Sequence, residues 1–144
     1  MVEPLWKWDE LTAAAQAGAD GISQIPITGF SIDTRTLQAG DVFVALKDAR
    51  DGHDFVAPAF AAGAAAAIVA KGYARKAGDG ALLRVEDPLR ALEAVARAAR
   101  IRADATVVAV TGSVGKTGTK EMLRLCLAAL GATHASEKSY NNHW

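Results

Sequence analysis

The spacing of apolar side chains changes repeatedly along the chain, and each change marks an element. Residues 6–16 place Trp8, Leu11, Thr12 and Ala15 on one side of a helix. Residues 18–26 are rich in glycine and end on proline, and read as a turn-rich connection. Alternation over 28–34 and over 42–46 predicts strands, with Leu37-Gln38-Ala39-Gly40-Asp41 as the turn between them. A polar loop spans 47–54, and 55–63 suit a helix that stops at Gly63. Short apolar runs at 66–70 and 81–85 predict further strands. Asp87-Pro88 opens a longer helix, with aspartate as N-cap and proline in the first position. Its buried stripe reads as Leu89, Leu92, Val95, Ala96 and Ala99, with Glu93 and Arg97 as a favourable i,i+4 pair, and it ends near Arg102. Residues 103–105 mark a boundary. A strand over 106–110, a helix from about 116 to 130, a stop at Gly131 and a short strand near 132–135 complete the pattern.

Strands alternating with helices predict an α/β fold. The expected organisation is a small N-terminal domain over residues 1–103, followed from 104 to 144 by the start of a parallel-sheet domain. A parallel sheet needs several strands covered on both faces. Only about one β-α-β unit follows residue 104, so the second domain reads as cut short and the chain as an N-terminal piece of a larger enzyme.

Composition narrows the function. Hydrophobic residues make up 51 % of 144 residues, enough for a packed core, and the formal net charge is zero. Without a basic excess the chain is not a general nucleic-acid or membrane-surface binder. The lone Cys126 excludes a disulfide framework and fits a reducing cytoplasm. Flanked by Leu125 and Leu127 with no basic neighbour, it is not read as a nucleophile. The opening MVEPLWKWDEL carries acidic residues and no long apolar run, so it is not read as a signal peptide. The Ala-rich stretch 57–70 is broken by Pro58 and Gly63 and is too short to span a bilayer.

The strongest chemical signal is TVVAVTGSVGKTGTK at 106–120. A β-branched run leads into Thr111-Gly112-Ser113-Val114-Gly115-Lys116-Thr117, and a helix-compatible segment follows. Strand, glycine turn, Lys-Thr and helix form a phosphate-gripping element. Gly112 and Gly115 let successive N–H groups converge on an anion. Lys116 supplies a mobile positive charge for the outer phosphates, and the Thr117 hydroxyl is the usual ligand for the Mg²⁺ that accompanies ATP. The spacing is the shorter T-G-x-x-G-K-T form, since Val110 stands where the standard pattern has a glycine.

Three motifs occur in order: Ser31-Ile32-Asp33-Thr34-Arg35 with Gly40-Asp41-Val42-Phe43-Val44-Ala45-Leu46; Asp51-Gly52-His53-Asp54-Phe55 with Ala59 and Gly63-Ala64; and Val110 to Glu121 with Ser139-Tyr140-Asn141-Asn142-His143. Together they closely resemble the N-terminal part of the Mur ligases. Lys120-Glu121 and the Tyr-Asn-Asn-His element favour the member that adds D-alanyl-D-alanine over the diaminopimelate- or lysine-adding one. The resemblance implies a UDP-substrate domain, a central P-loop ATPase domain and a C-terminal domain for the incoming amine. It further implies ATP and Mg²⁺ as cofactors, a cytoplasmic setting, and UDP-N-acetylmuramoyl-tripeptide and D-alanyl-D-alanine as partners, with a monomer expected. In such enzymes ATP phosphorylates a carboxylate, and an amine attacks the acyl phosphate to give an amide.

By the same resemblance, Ser31, Thr34 and Arg35 match uridine-diphosphate contacts, with Lys47 and the loop through Asp51 and His53 as further candidates. Thr111, Gly112, Ser113, Val114, Gly115, Lys116 and Thr117 match the ATP site, with Lys116 as the catalytic candidate and Thr117 as metal ligand. Asn142, with Asn141 beside it, matches the residue that meets the muramoyl nucleotide. Gly118 departs from the threonine or serine of many relatives and costs helix propensity. The expected second-metal carboxylate, modified lysine and amine-binding domain are not among these residues, so catalysis by the chain alone is not expected.

The residues also admit plainer readings. Arg35 suits a surface arginine on a turn, Asp33 a turn cap, Asp54 a helix cap, and His53 a structural role. Trp6 and Trp8 suit packing of the first helix, and Asn141-Asn142 a plain turn. His134 and His143 lack partners at ligand spacing, and no zinc site is expected. A folylpolyglutamate-type ligase shares the short phosphate loop, but usually begins almost directly with its ATPase region. A non-catalytic UDP-binding module is the other alternative.

Overall fold

The computed structural model describes residues 3–48 and 50–136. The chain divides into two compact units, Met1–Ala103 and Asp104–Trp144. In the first, the elements are α1 (Trp8–Ala14), β1 (Gly18–Asp20), β2 (Gly29–Ser31), β3 (Asp41–Val44), a 3₁₀ turn (Gly52–Phe55), α2 (Val56–Ala61), β4 (Ala66–Ala70), β5 (Leu82–Val85) and α3 (Pro88–Arg102). The second carries α4 (Lys116–Ala128).

The five strands form one sheet in the order β1-β5-β4-β3-β2. β2 through β5 run parallel, and β1 closes the far edge antiparallel to β5. Alternation sorts the side chains of the central strands into two cores. Val42, Val44, Ala66, Ile68, Leu83 and Val85 face α1 and α3, meeting Leu11, Ala91 and Val95. Phe43, Ala45, Ala67, Val69 and Leu82 face α2, meeting Val56 and Ala59. β3 is buried at every position, the carboxylate of Asp41 included, which is why Val42-Phe43-Val44 reads as an apolar run and not as an alternation.

Local chemistry explains the boundaries. Asp87 Oδ1 accepts from the Leu89 and Arg90 N–H groups at 2.8 and 3.2 Å, so the expected N-cap of α3 is present. Gly63, at φ +101°, follows α2 and donates to Phe60 O at 3.0 Å. Trp6 is buried, and the Arg102 guanidinium lies 4.0 Å from its ring centre while donating to Leu5 O at 2.7 Å. The end of α3 is thereby fastened to the start of α1.

The structure corrects several sequence expectations. Residues 18–20 are not part of a turn but the edge strand β1. A long-range cluster holds it there: Asp20 accepts from Arg84 Nη2 at 2.8 Å and from Arg75 Nη1 at 2.7 Å. The hydrogen bond from Arg84 is the main reason that the Asp20 carboxyl titrates below the usual aspartate range. β2 ends at Ser31 instead of running to Thr34, because the chain turns at Asp33. In α3 Ala91 is buried and Ala96 exposed, so the core stripe is rotated from the expected one, and Glu93 and Arg97 form no ion pair. Asp51 caps the 3₁₀ turn in place of Asp54, accepting from His53 N–H at 3.0 Å.

In the second unit, residues 106–110 and 132–135 are not strands. A β-branched run becomes a strand only when a neighbour completes its ladder, and none among the described residues does so. α4 forms as expected, but none of its residues is buried: Met122 and Leu125 are exposed, as is Cys126.

Candidate functional site

The first group of candidates leaves the carboxyl edge of the parallel strands, the edge at which open α/β sheets bind ligands. Ser31 closes β2, and its hydroxyl donates to Asp33 O at 2.9 Å and accepts from Asp33 N–H at 3.2 Å. This folds the backbone into a tight turn. Asp33 then holds Arg35: its Oδ1 accepts from the Arg35 main-chain N–H at 3.0 Å and from Nε at 2.9 Å, and its Oδ2 accepts from Nη2 at 2.5 Å. The side-chain hydrogen bonds from Arg35, its first cause, depress the Asp33 carboxyl to about 2. The Arg35 side chain nevertheless remains 82 % exposed, so its remaining N–H groups face solvent. Thr34 is half-buried in the same turn. Ser31, Thr34 and Arg35 thus present a hydroxyl-and-guanidinium rim suited to phosphate or carbonyl oxygens. The turn-cap reading of Asp33 holds, and Arg35 is a surface arginine paired with Asp33.

Lys47 lies beyond β3, the strand beside β2, with Ser31 in register with Phe43. It pairs with Asp51 as an isolated bridge, and its Nζ stands 4.0 Å from the Asp51 carboxylate. Its side chain is otherwise open to solvent. A groove of about 400 Å³ contains Lys47, Asp51, His53, Tyr73 and Lys76, but not Ser31, Thr34 or Arg35. The structure therefore places the candidates at two neighbouring strand ends without joining them in one pocket. Tyr73 and Lys76 were not identified from sequence, because the segment after β4 has no periodic pattern and only tertiary folding brings it to this groove. Burial, followed by the hydrogen bond to Asp79 at 2.9 Å, raises the Tyr73 hydroxyl to about 12.

The second group is the loop before α4. Gly115 is the N-cap of α4 at φ 78° and ψ 0°, and Gly112 lies at φ 150°. A side chain at Gly115 would be strained in that conformation, which accounts for glycine there. No side chain caps α4. The N–H groups of its first turn therefore point outward at the positive end of the helix dipole, a geometry made for an anion. Lys116 folds back over the loop and donates from Nζ to Gly112 O at 2.6 Å. Thr111 through Thr117 are all exposed. Among the described residues no cluster of His, Cys, Asp and Glu is arranged to hold a metal by itself. Further along α4, Lys120 hydrogen-bonds Ser136 O and pairs with Glu121 at 3.1 Å. Asn141 and Asn142 lie outside the described residues.

No family model matches the chain. It is 40 % identical over 126 residues to the UDP-N-acetylmuramoyl-tripeptide–D-alanyl-D-alanine ligase of Escherichia coli, covering 87 % of this chain and 26 % of that protein. It is 39 % identical over 119 residues to the enzyme of the same name from Synechocystis, covering 82 % and 26 % respectively. Among solved structures, MurF from Acinetobacter baumannii superposes with a TM-score of 0.72 at 38 % identity, over 87 % of this chain and 28 % of that one. The chain thus spans between 26 and 30 % of the length of the curated relatives that it matches. Over most of its length, in sequence and in fold, it is similar to the first part of Mur ligases that carry the D-alanyl-D-alanine ligase name.

Proposed function

We propose that the chain serves an ATP-dependent carbon–nitrogen ligase that joins D-alanyl-D-alanine to UDP-N-acetylmuramoyl-tripeptide, a step in making peptidoglycan precursors. The observation that carries this reading is the uncapped amino end of α4 behind the Gly115 turn, with Lys116 folded over it. That cradle belongs to a chain whose relatives bear this ligase name.

In this reading residues 1–103 hold the UDP end of the substrate and residues 104–144 begin the ATP-binding domain. Ser31, Thr34 and Arg35 grip the uridine diphosphate, with Lys47 beside them. The α4 N–H groups hold the phosphates. Lys116 would leave Gly112 O to offset the negative charge of the outer phosphates during transfer, and the Thr117 hydroxyl would help hold Mg²⁺. These residues fit ATP and Mg²⁺: the loop has main-chain donors, one mobile cation and, directly after it, the exposed Thr117 hydroxyl. A substrate carboxylate oxygen displaces ADP at the γ-phosphorus and forms an acyl phosphate. The free amine of D-alanyl-D-alanine then attacks the acyl carbon, the carbon–oxygen bond to phosphate breaks, and the nitrogen loses a proton. Asn141 and Asn142 are assigned to the substrate by resemblance alone.

The test is an amide-resolved NMR titration of this chain. UDP-N-acetylmuramoyl-tripeptide is expected to shift Ser31, Thr34 and Arg35, and ATP with Mg²⁺ to shift 112–117. A substrate titration that moves none of the first three removes the assignment of residues 1–103.

A further inference from the structure

Lys47 stands at the exit of β3, and neighbouring side chains decide where its ammonium group lies. Lys47 follows β3 and is open to solvent, and an isolated bridge joins it to Asp51. One side chain ties Asp51 to the sheet. His53 Nδ1 meets Asp51 Oδ1 at 2.6 Å, while its Nε2 accepts from the Ala70 main-chain N–H at 2.9 Å. Ala70 is the last residue of β4. The ring also packs against Tyr73, with centroids 5.6 Å apart, and only 17 % of the side chain is exposed.

These contacts settle the tautomer. Because Nε2 accepts a hydrogen bond from an N–H group, the ring proton sits on Nδ1, where it is donated to Asp51. Asp51 receives the His53 main-chain N–H on the same oxygen, at 3.0 Å. That main-chain bond, ahead of the one from the ring, holds its carboxyl below the usual range. Asp51 also forms the bridge to Lys47. A continuous chain of contacts therefore runs from the end of β4 through His53 and Asp51 to Lys47.

We propose that His53 is a positioning residue: it clamps the 47–51 loop to the carboxyl end of β4 and so fixes where Lys47 meets the UDP-linked substrate. The inference rests on the assignment of Lys47 as a substrate contact. It gives a polar, largely buried histidine a role in substrate affinity without contact to substrate. A histidine that merely filled space would need neither nitrogen. This one satisfies an otherwise unpaired strand-end N–H with one nitrogen and orders a loop with the other.

Long-range ¹H–¹⁵N spectra of the wild-type chain are expected to show His53 protonated at Nδ1 and bare at Nε2. A proton on Nε2 overturns the clamp whatever any variant does. His53→Phe keeps the ring but loses both nitrogens. UDP-N-acetylmuramoyl-tripeptide is expected to bind it roughly tenfold more weakly, as expected for a displaced contact group. Lys47→Ala should weaken binding by a similar factor, and the double variant no further than Lys47→Ala alone. Additive losses, or unchanged affinity in His53→Phe beside a defect in Lys47→Ala, overturn this proposal and leave the Lys47 assignment standing. Unchanged affinity in Lys47→Ala removes the assignment itself. Should His53→Phe fail to fold, His53→Gln takes its place. The glutamine oxygen reaches where Nε2 lies and accepts from Ala70, so binding between wild type and Lys47→Ala is expected. Full loss in a folded His53→Gln refutes the link to β4.

Discussion

Gly52 offers a direct test of how tightly the 47–52 loop is built into the fold. A Cβ added there would lie 2.4 Å from Leu46 O and 2.8 Å from Ala45 C and Leu46 N, all main-chain atoms at the exit of β3. Reaching the 3.0 Å below which real Cβ contacts essentially never fall requires a shift of 3.0 − 2.4 = 0.6 Å. The atoms that must give way include the partner of the Gly52 N–H, which donates to Leu46 O at 2.8 Å. Losing that hydrogen bond costs about 1 kcal/mol. Overpacking against main chain adds about 1–3 kcal/mol. A Gly52→Ala total of about 2–4 kcal/mol corresponds to a fall in Tm on the order of 10–20 °C for a unit of this size. Gly72→Ala is the control, since an added Cβ there meets nothing within 4 Å. It should stay within about 1 kcal/mol of wild type. Thermal unfolding followed by far-UV circular dichroism and by fluorescence of the buried Trp6 reads both variants. If Gly52→Ala melts within about 2 °C of Gly72→Ala, the loop yields freely and the reasoning from contact distances fails.

Other expectations follow from the same geometry. If the proposed ligase activity is right, Lys116→Ala is expected to lower turnover about a hundredfold or more while leaving melting unchanged, because its hydrogen bond within the chain is exposed; near-normal kcat refutes its role. Asp87→Ala removes the acceptor for two main-chain N–H groups of α3 and should cost about 1 kcal/mol in chemical denaturation, whereas Asp87→Asn should recover most of it. The Arg35 guanidinium holds the Asp33 carboxyl down at about 2, below the roughly 3.9 of an ordinary aspartate, so its stabilising effect is present above that ordinary value and fades as pH falls towards 2. Asp33→Asn should therefore differ from wild type in melting at pH 6 and converge with it near pH 2; a gap that widens in acid refutes the pairing with Arg35.

Much of the first unit was readable from its sequence because local and tertiary signals agree. The β3 and β4 runs, the Asp87-Pro88 helix start and the Gly63 stop all lie where pattern and capping chemistry put them. The edge strand β1 was hidden because Gly-Ala-Asp has no β pattern, and its place is set by Arg75 and Arg84 from far along the chain. The Ala96 error has a simpler origin. In an alanine-rich helix several stripes have equal apolarity, and only the sheet decides which one faces inward. The cap at Asp51 was missed because Asp51 and Asp54 are both plausible caps by sequence, and the choice depends on where the His53 N–H points. At the site, the T-G-x-x-G-K-T loop was legible because glycine conformation and helix start are local properties. The His53 clamp was not, since half of it belongs to Ala70, 17 residues away.

The sheet order has a consequence for how the protein is made. β1 and β2 are consecutive in sequence yet occupy opposite edges, and Asp20 waits for Arg84, 64 residues downstream. At a translation rate of about 5–20 residues per second, β1 leaves the ribosome roughly three to thirteen seconds before its pairing strand exists. During that interval the nascent segment must stay unpaired, and its short, polar, glycine-led sequence suits it to wait without recruiting a neighbour.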